Sequence, residues 1–449
     1  MTGLQDRVRE LARRHRVPGV SVALLRDDHV EEAVAGVVNR ATRVRTTPDS
    51  LFQIGSIAKV YTATLVMLLV DEDAVDLDAP VRTYVPELEL GDEQAEATIT
   101  VRQLLSHTSG IQGDYFADFG RGDDCVERYV ASLGEIGTIF PPGAMWSYSN
   151  AGYVLAGRLI EKITEMSWDD ALRDKLLGPA GLKEHASLPE DAIFFRAAVG
   201  HEAKTPRGRQ QPVAPWLLPR SSSPAGATLC ASARDLIRFA KLHLDEGRAD
   251  NGAQILSPSS VKAMQEEQVL FPGEVDTSMG LGWVLHNWSG TKILWHSGGT
   301  LGQLAFVYVI PEHRFAVSAL TNSRASGQLI DDLCKELFRE LGVEAPEDPR
   351  LPEDDPEIDL TVYAGRYERY GVRIDVEPVE RHLKITEDVS IIPGQVEDNE
   401  TMIARPVDAS DFLVIDEKGE VQGKTTFLEF GDDGRPRYMF LGRVLRRVV

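Results

Sequence analysis

The chain has 449 residues, 43% of them hydrophobic and 26% charged, with 38 glycines and 24 prolines spread along it, close to the average of globular proteins. That length exceeds what one hydrophobic core serves and points to two or three domains. A formal charge of −22 excludes a nucleic-acid partner, because phosphate binding needs clustered Lys and Arg.

The amino terminus, Met1 to Arg14, mixes Asp6, Arg7, Arg9, Glu10, Arg13 and Arg14 with a few apolar residues. It lacks the apolar stretch of a secretory signal, so the expected compartment is the cytoplasm. The longest apolar run, Ala63 to Val70, is broken by Thr64 and is far short of the roughly 20 residues that span a bilayer. Leu4, Val8, Leu11 and Ala12 recur at helical spacing. After Pro18-Gly19, Val20 to Leu25 reads as a strand, followed by an Arg26-Asp27-Asp28 turn and a second strand through Val38. Val60 to Leu69 is apolar on nearly every face, the pattern of a helix sunk in a large core. Helices are expected at Val154 to Thr164 and Ala233 to Leu244. Strands follow at Gly282 to His286, Ile293 to Trp295, Leu304 to Ile310 and Phe315 to Asn322, then a helix from Gly327 to Leu341. Strands at both ends of a helical middle imply one α/β domain in which early and late strands share a mixed sheet.

Between Glu344 and Asp359 stand eight acidic residues, four prolines and one basic residue, a composition that reads as a linker. The expected division is therefore 1–343, a linker over 344–360, and 361–449. In the last part, alternating segments at Arg373 to Val376, Phe412 to Ile415, Thr425 to Phe430 and Tyr438 to Val444 are joined by turns such as Asp432-Asp433-Gly434. That rhythm predicts a small antiparallel β-barrel. Cys125, Cys230 and Cys334 are odd in number and widely spaced, which suits reduced thiols rather than a disulfide framework or a zinc site.

Ser-x-x-Lys occurs three times, at Ser56/Lys59, Ser259/Lys262 and Ser289/Lys292. Ser259 opens a polar helix and Ser289-Gly290-Thr291-Lys292 reads as a hairpin turn, so ordinary structural roles suffice there. Ser56 differs: it follows Gly55 and begins the buried helix, with Lys59 on the same helical face. In a dry site desolvation lowers the lysine pKa, and the neutral amine can take the serine proton. Helix amino-terminal amides near Ser56 would meet a developing oxyanion.

Two further elements carry chemistry. Tyr148-Ser149-Asn150 lies on a loop entering a helix; a tyrosine beside a cation can relay a proton, and an asparagine amide can hold a substrate carbonyl. His296-Ser297-Gly298-Gly299 closes the strand at Ile293 to Trp295. Gly298 lets substrate approach the backbone, the Gly299 amide could pair with that of Ser56 as an oxyanion hole, and His296 could polarise Tyr148. No Gly-x-Ser-x-Gly elbow, His-Glu-x-x-His motif or phosphate-binding loop is present, so no metal, nucleotide or other cofactor is expected.

The chain order Ser-x-x-Lys, Tyr-x-Asn, His-x-Gly resembles the penicillin-binding-protein and class C β-lactamase superfamily, and the resemblance covers about residues 5 to 341. Phe52-Gln53-Ile54-Gly55-Ser56, Leu104 to Gly110 and Pro224-Ala225-Gly226 look like stretches of the same family. The resemblance implies a β-lactamase/transpeptidase-like fold with a helical subdomain, followed by a lipocalin-like barrel. It implies Ser56 as nucleophile, Lys59 as general base, Tyr148 as acid/base and Asn150 as substrate binder. His296 stands where the family has a lysine; a histidine is cationic only part of the time, which disfavours β-lactam hydrolysis and is closer to esterases, D-amino-acid peptidases and peptide-cyclising thioesterases.

With the barrel, the reading becomes a penicillin-binding-protein-type thioesterase that releases and cyclises a nonribosomal peptide, taking a small-molecule or peptidyl acyl substrate. The alternatives are an esterase or D-amino-acid peptidase that hydrolyses the same acyl-enzyme, and a non-enzymatic acyl-trapping sensor or ligand-binding barrel. Arg446, in the locally basic segment Arg443 to Arg447, is a candidate to grip a substrate carboxylate from the barrel.

Overall fold

Tight hairpins dictate the main sheet of this computed structural model, which describes residues 3–203, 205, 208–347, 349–389, 398–416 and 418–448. Strand β1 (Gly19–Arg26) turns through Asp27-Asp28 into β2 (His29–Gly36). The other members come late: β3 (Val269–Leu270), β4 (Thr277–Met279), β5 (Val284–Trp288), β6 (Thr291–Thr300), β7 (Gln303–Ile310) and β8 (Phe315–Thr321). The spatial order is β2-β1-β8-β7-β6-β5-β4-β3. Early and late strands do meet, Val20 facing Thr321. The sheet expected to be mixed is instead antiparallel at every pairing. The two-residue links Asp27-Asp28, Ser289-Gly290 and Leu301-Gly302 allow only antiparallel neighbours.

Both faces of the sheet are covered, and the alternation of β1 shows how. Val20, Val22 and Leu24 pack with helices Leu4–Arg14 and Gly327–Leu341, while Ala23 and Leu25 face the large core around helix Ala58–Asp71. Within that helix Lys59 is fully buried among apolar neighbours. Two boundaries move: helix Asn150–Thr164 begins four residues before Val154, capped by Ser149, and helix Ala233–Leu242 stops short of Leu244. β6 runs on through Thr300 rather than stopping at Trp295, so His296, Gly298 and Gly299 are strand residues.

Between Leu341 and Leu360 the described residues hold neither helix nor strand, yet Asp355 pairs with Arg405 at 2.5 Å, which pins this segment to the carboxy-terminal domain. In that domain Gly365–Arg369 to Val444–Arg447 form a closed barrel of eight antiparallel strands, sealed where Tyr367 meets Arg447. Tyr367, Ile374, Ile385, Phe412, Phe427, Met439 and Leu445 are among the side chains filling its interior. The segment expected as one strand from Tyr438 to Val444 is two, Pro436–Phe440 and Val444–Arg447, because Gly442 turns the chain at φ 67°. Among the described residues no helix is long and apolar enough to cross a membrane.

Candidate active site

Ser56 lies in a single 3-10 turn, Gly55–Ile57, that runs straight into helix Ala58–Asp71. Gly55 has φ 53°, a conformation favouring glycine, and a Cβ there would stand 2.7 Å from Gly299 N. From β6, a Cβ on Gly298 would stand 1.9 Å from Ile54 O and 2.8 Å from Ser56 N. Two side-chain-free backbones therefore touch, bringing Gly298-Gly299 against the amide of Ser56.

Lys59 Nζ is 3.1 Å from Ser56 Oγ and donates to Ala225 O at 2.6 Å. Burial, helped by the nearby Arg443 cation and opposed by Asp114, holds its pKa well below the usual lysine range. The neutral amine can keep one N–H on Ala225 O and turn its lone pair to the Ser56 hydroxyl. The other two Ser-x-x-Lys spacings form no such contact: Lys262 pairs with Glu266 at 3.6 Å, and Lys292 donates to Gln265 O at 3.0 Å. Ser259 is also not the cap of its helix; Ser257 is.

The Tyr148 ring lies 4.7 Å from Lys59 Nζ. Burial raises its pKa above the ordinary tyrosine value, while a hydrogen bond with Ser56 and the Arg443 charge act the other way. The phenol thus stands beside an amine that burial biases toward its neutral form. Its loop is clamped by residues 107–113: His107 O accepts from Ser147 N (2.9 Å), His107 Nδ1 from Ser149 N (3.0 Å), and Gly113 O from Asn150 N (3.0 Å).

His296 is buried, and its Nδ1 lies 2.7 Å from Ser297 O, which fixes the Nδ1–H tautomer. Burial and the neighbouring Lys59 push its pKa down to about 3. The part-time cation expected from the sequence is therefore a neutral imidazole, unable to polarise Tyr148 by charge.

Asn150 donates through Nδ2 to Asp114 Oδ1 at 3.0 Å, leaving one amide N–H for other partners. Asp114, 6% exposed, also pairs with two barrel arginines: Arg443 Nη2 at 2.8 Å and Arg369 Nη1 at 2.9 Å. Arg443 in turn lies 4.9 Å from the Tyr148 ring centroid. Arg446, singled out in the sequence, is not brought into this cluster; it is exposed and donates to Ile139 O at 2.5 Å. Sequence reasoning missed Asp114, Arg369 and Arg443, and the basic run at the end of the chain was the only signal for any of them. Aromatic packing completes the junction with the barrel, Trp146 stacking on Phe271 at 3.7 Å and meeting Phe440 at 5.7 Å.

The chain is similar to several known proteins. The chain is 41% identical over 375 residues, 82% of its length and 97% of the relative's, to penicillin-binding protein 4 of Amycolatopsis lactamdurans. It is 27% identical over 364 residues, 79% of the chain and 65% of the relative, to a D-aminopeptidase of Brucella anthropi. The crystal structure of SurE superposes with a TM-score of 0.81 at 26% identity, covering 99% of this chain and 98% of that one, barrel included. The β-lactamase family profile matches residues 4–333. Taken with a Ser-Lys-Tyr cluster built on its first long buried helix, these likenesses place the chain in the β-lactamase family of serine hydrolases.

Proposed function

We propose that the protein forms an acyl-enzyme on Ser56 from a peptidyl thioester ending in a D-residue, and releases the peptide by cyclisation. The observation that carries this reading is the contact between Lys59 Nζ and Ser56 Oγ at 3.1 Å, in a site whose burial favours the neutral amine. Ser56 gives its proton to Lys59 as Oγ attacks the thioester carbonyl, and the oxyanion sits between the Ser56 and Gly299 amides. The C–S bond breaks, and the sulfur leaves as a thiol with the Tyr148 proton, which Lys59 replaces. The peptide's own amine then attacks the ester, its proton passes to Lys59, and Ser56 recovers its hydroxyl.

Residues 1–343 would form the catalytic unit and 361–449 its roof, joined by 344–360. Support for a D-residue at the acyl end comes from a structure of SurE with D-Leu, which matches over nearly the whole chain at a TM-score of 0.78. The roof supplies the fixed cation that His296 does not, since Arg443 stands over Tyr148. Asn150, with one amide N–H free, would hold the substrate carbonyl. Water must be kept from the acyl-enzyme for the amine to win.

A second reading, hydrolysis of the same acyl-enzyme, is favoured by the D-aminopeptidase relatives and by an unguisins hydrolase of Aspergillus campestris, 27% identical over 333 residues. The test offers a peptidyl thioester with a terminal D-residue beside p-nitrophenyl esters and D-amino-acid amides, with products identified by mass. Cyclisation yields a product one water lighter than the linear acid. Reaction of the esters or amides alone would leave the hydrolase reading, and full activity in Ser56→Ala would overturn both.

A further inference from the structure

Four arginines that make no ion pair among the described residues, Arg16, Arg40, Arg209 and Arg324, line one cavity of about 1080 Å³. In a chain of charge −22, four grouped guanidinium groups against a single carboxylate on the described wall mark a place built to attract an anion. Glu202 is the carboxylate on the described part of the wall.

The floor of the cavity is fixed. His201 is fully buried; its backbone N donates to Gly302 O at 3.0 Å, its Nε2 accepts from Arg40 N at 3.1 Å, and its Nδ1 therefore donates to Asn322 O at 3.1 Å. Beside it, Gln210 is 7% exposed; its Nε2 donates to Arg16 O at 3.4 Å, which leaves Oε1 buried and without a partner. The lining thus offers guanidinium forks and one unsatisfied acceptor.

Its position relates it to Ser56. Gly302 lies in the two-residue turn that follows β6, whose last strand residue, Thr300, is two residues beyond Gly298, roughly 7 Å at the rise of an extended strand. The cavity and the nucleophile therefore sit toward the same end of one strand.

We propose that this cavity is a second binding site, for the phosphate of a phosphopantetheine-type arm whose sulfur brings the acyl group to Ser56. The inference rests on the thioester reading above. Guanidinium groups match phosphate oxygens in pairs, and an amide N–H of the arm satisfies Gln210 Oε1. The chemistry at Ser56 is unchanged: the arm leaves as the thiol.

The test compares kcat/KM for one peptide carried as its neutral N-acetylcysteamine thioester and as its phosphopantetheine thioester, in the native protein and in Arg40→Ala/Arg209→Ala. The native protein prefers the phosphorylated donor by about tenfold or more, through KM, as expected for charge-assisted hydrogen bonds. The double variant brings the ratio to about one and leaves the neutral donor unaffected, which also shows that the variant is folded. Coenzyme A and carrier-protein thioesters of the same peptide separate a free arm from a tethered one, and preference for either supports the site. A native ratio near one overturns the inference and leaves the acyl-transfer reading intact. Arg40-dependent binding of the phosphopantetheine thiol without turnover of any thioester keeps the phosphate site and sinks that reading.

Discussion

Arg443, from the turn between the last two barrel strands, stands 4.9 Å from the ring centroid of Tyr148 and is hydrogen-bonded to Asp114 at 2.8 Å. A charge carried by the barrel thus acts on the two titratable groups beside Ser56. It favours the neutral form of Lys59 and eases ionisation of Tyr148.

Arg443→Ala moves the acid limb of kcat/KM to higher pH. Removing the cation lets Lys59 hold its proton more tightly, and Asp114, then less compensated, acts in the same direction. The base form consequently appears later as pH rises. A pH profile with an uncharged thioester checks this; an unmoved limb excludes Arg443 from the electrostatics of the site.

Asp114→Asn destabilises the fold by about 3–5 kcal/mol, the range for breaking a buried ion pair from one side. Arg369 and Arg443, with side chains 12% and 24% exposed, lose a shared counter-charge. Urea unfolding measures the loss, and adding Arg443→Met recovers part of it because the stranded cation is gone.

The two motif glycines respond differently to alanine. At Gly298 the new Cβ would meet Ile54 O at 1.9 Å, a backbone clash that displaces the turn bearing Ser56; at Gly299 it would meet only Leu304 Cδ2 at 3.4 Å. Fluorophosphonate labelling of Ser56 is therefore lost in Gly298→Ala and retained within a few fold in Gly299→Ala.

Acid destabilises the protein below the pKa of a free histidine. His243 and His296 are held near 3 by burial, and His107 is also pushed well below its usual value. The unfolded chain binds those protons first, so stability is full above about pH 6.5 and falls as pH drops toward 3. Thermal unfolding across that window shows the slope, and His243→Gln reduces it.

Local features were legible in the sequence and distant ones were not. Ser56 and Lys59 could be read because one helical turn joins them, and the apolar helix around them announces burial. Asp114 is joined to Asn150 across 36 residues and to Arg443 across 329, distances over which no periodicity carries information. The sequence points to Arg446 rather than Arg443 because Tyr438 to Val444 reads as one strand, a pattern that hides the turn at Gly442 beside Arg443. The end of β6 is hidden for a related reason: Gly298 and Gly299 look like turn residues but serve a close backbone contact. The protonation of His296 depends on burial by segments far along the chain.

The barrel's interior is packed with its own side chains, and this has a consequence for how such a protein diversifies. Interior positions are bound by volume, whereas Arg369 and Arg443 project from the barrel toward Asp114 and Tyr148. Substitutions among the residues facing the cleft can change which acyl chains are accepted without asking the barrel to refold. Divergence in substrate range should therefore be sought on that rim, with the packed interior and the Ser56–Lys59 turn held as the conserved frame.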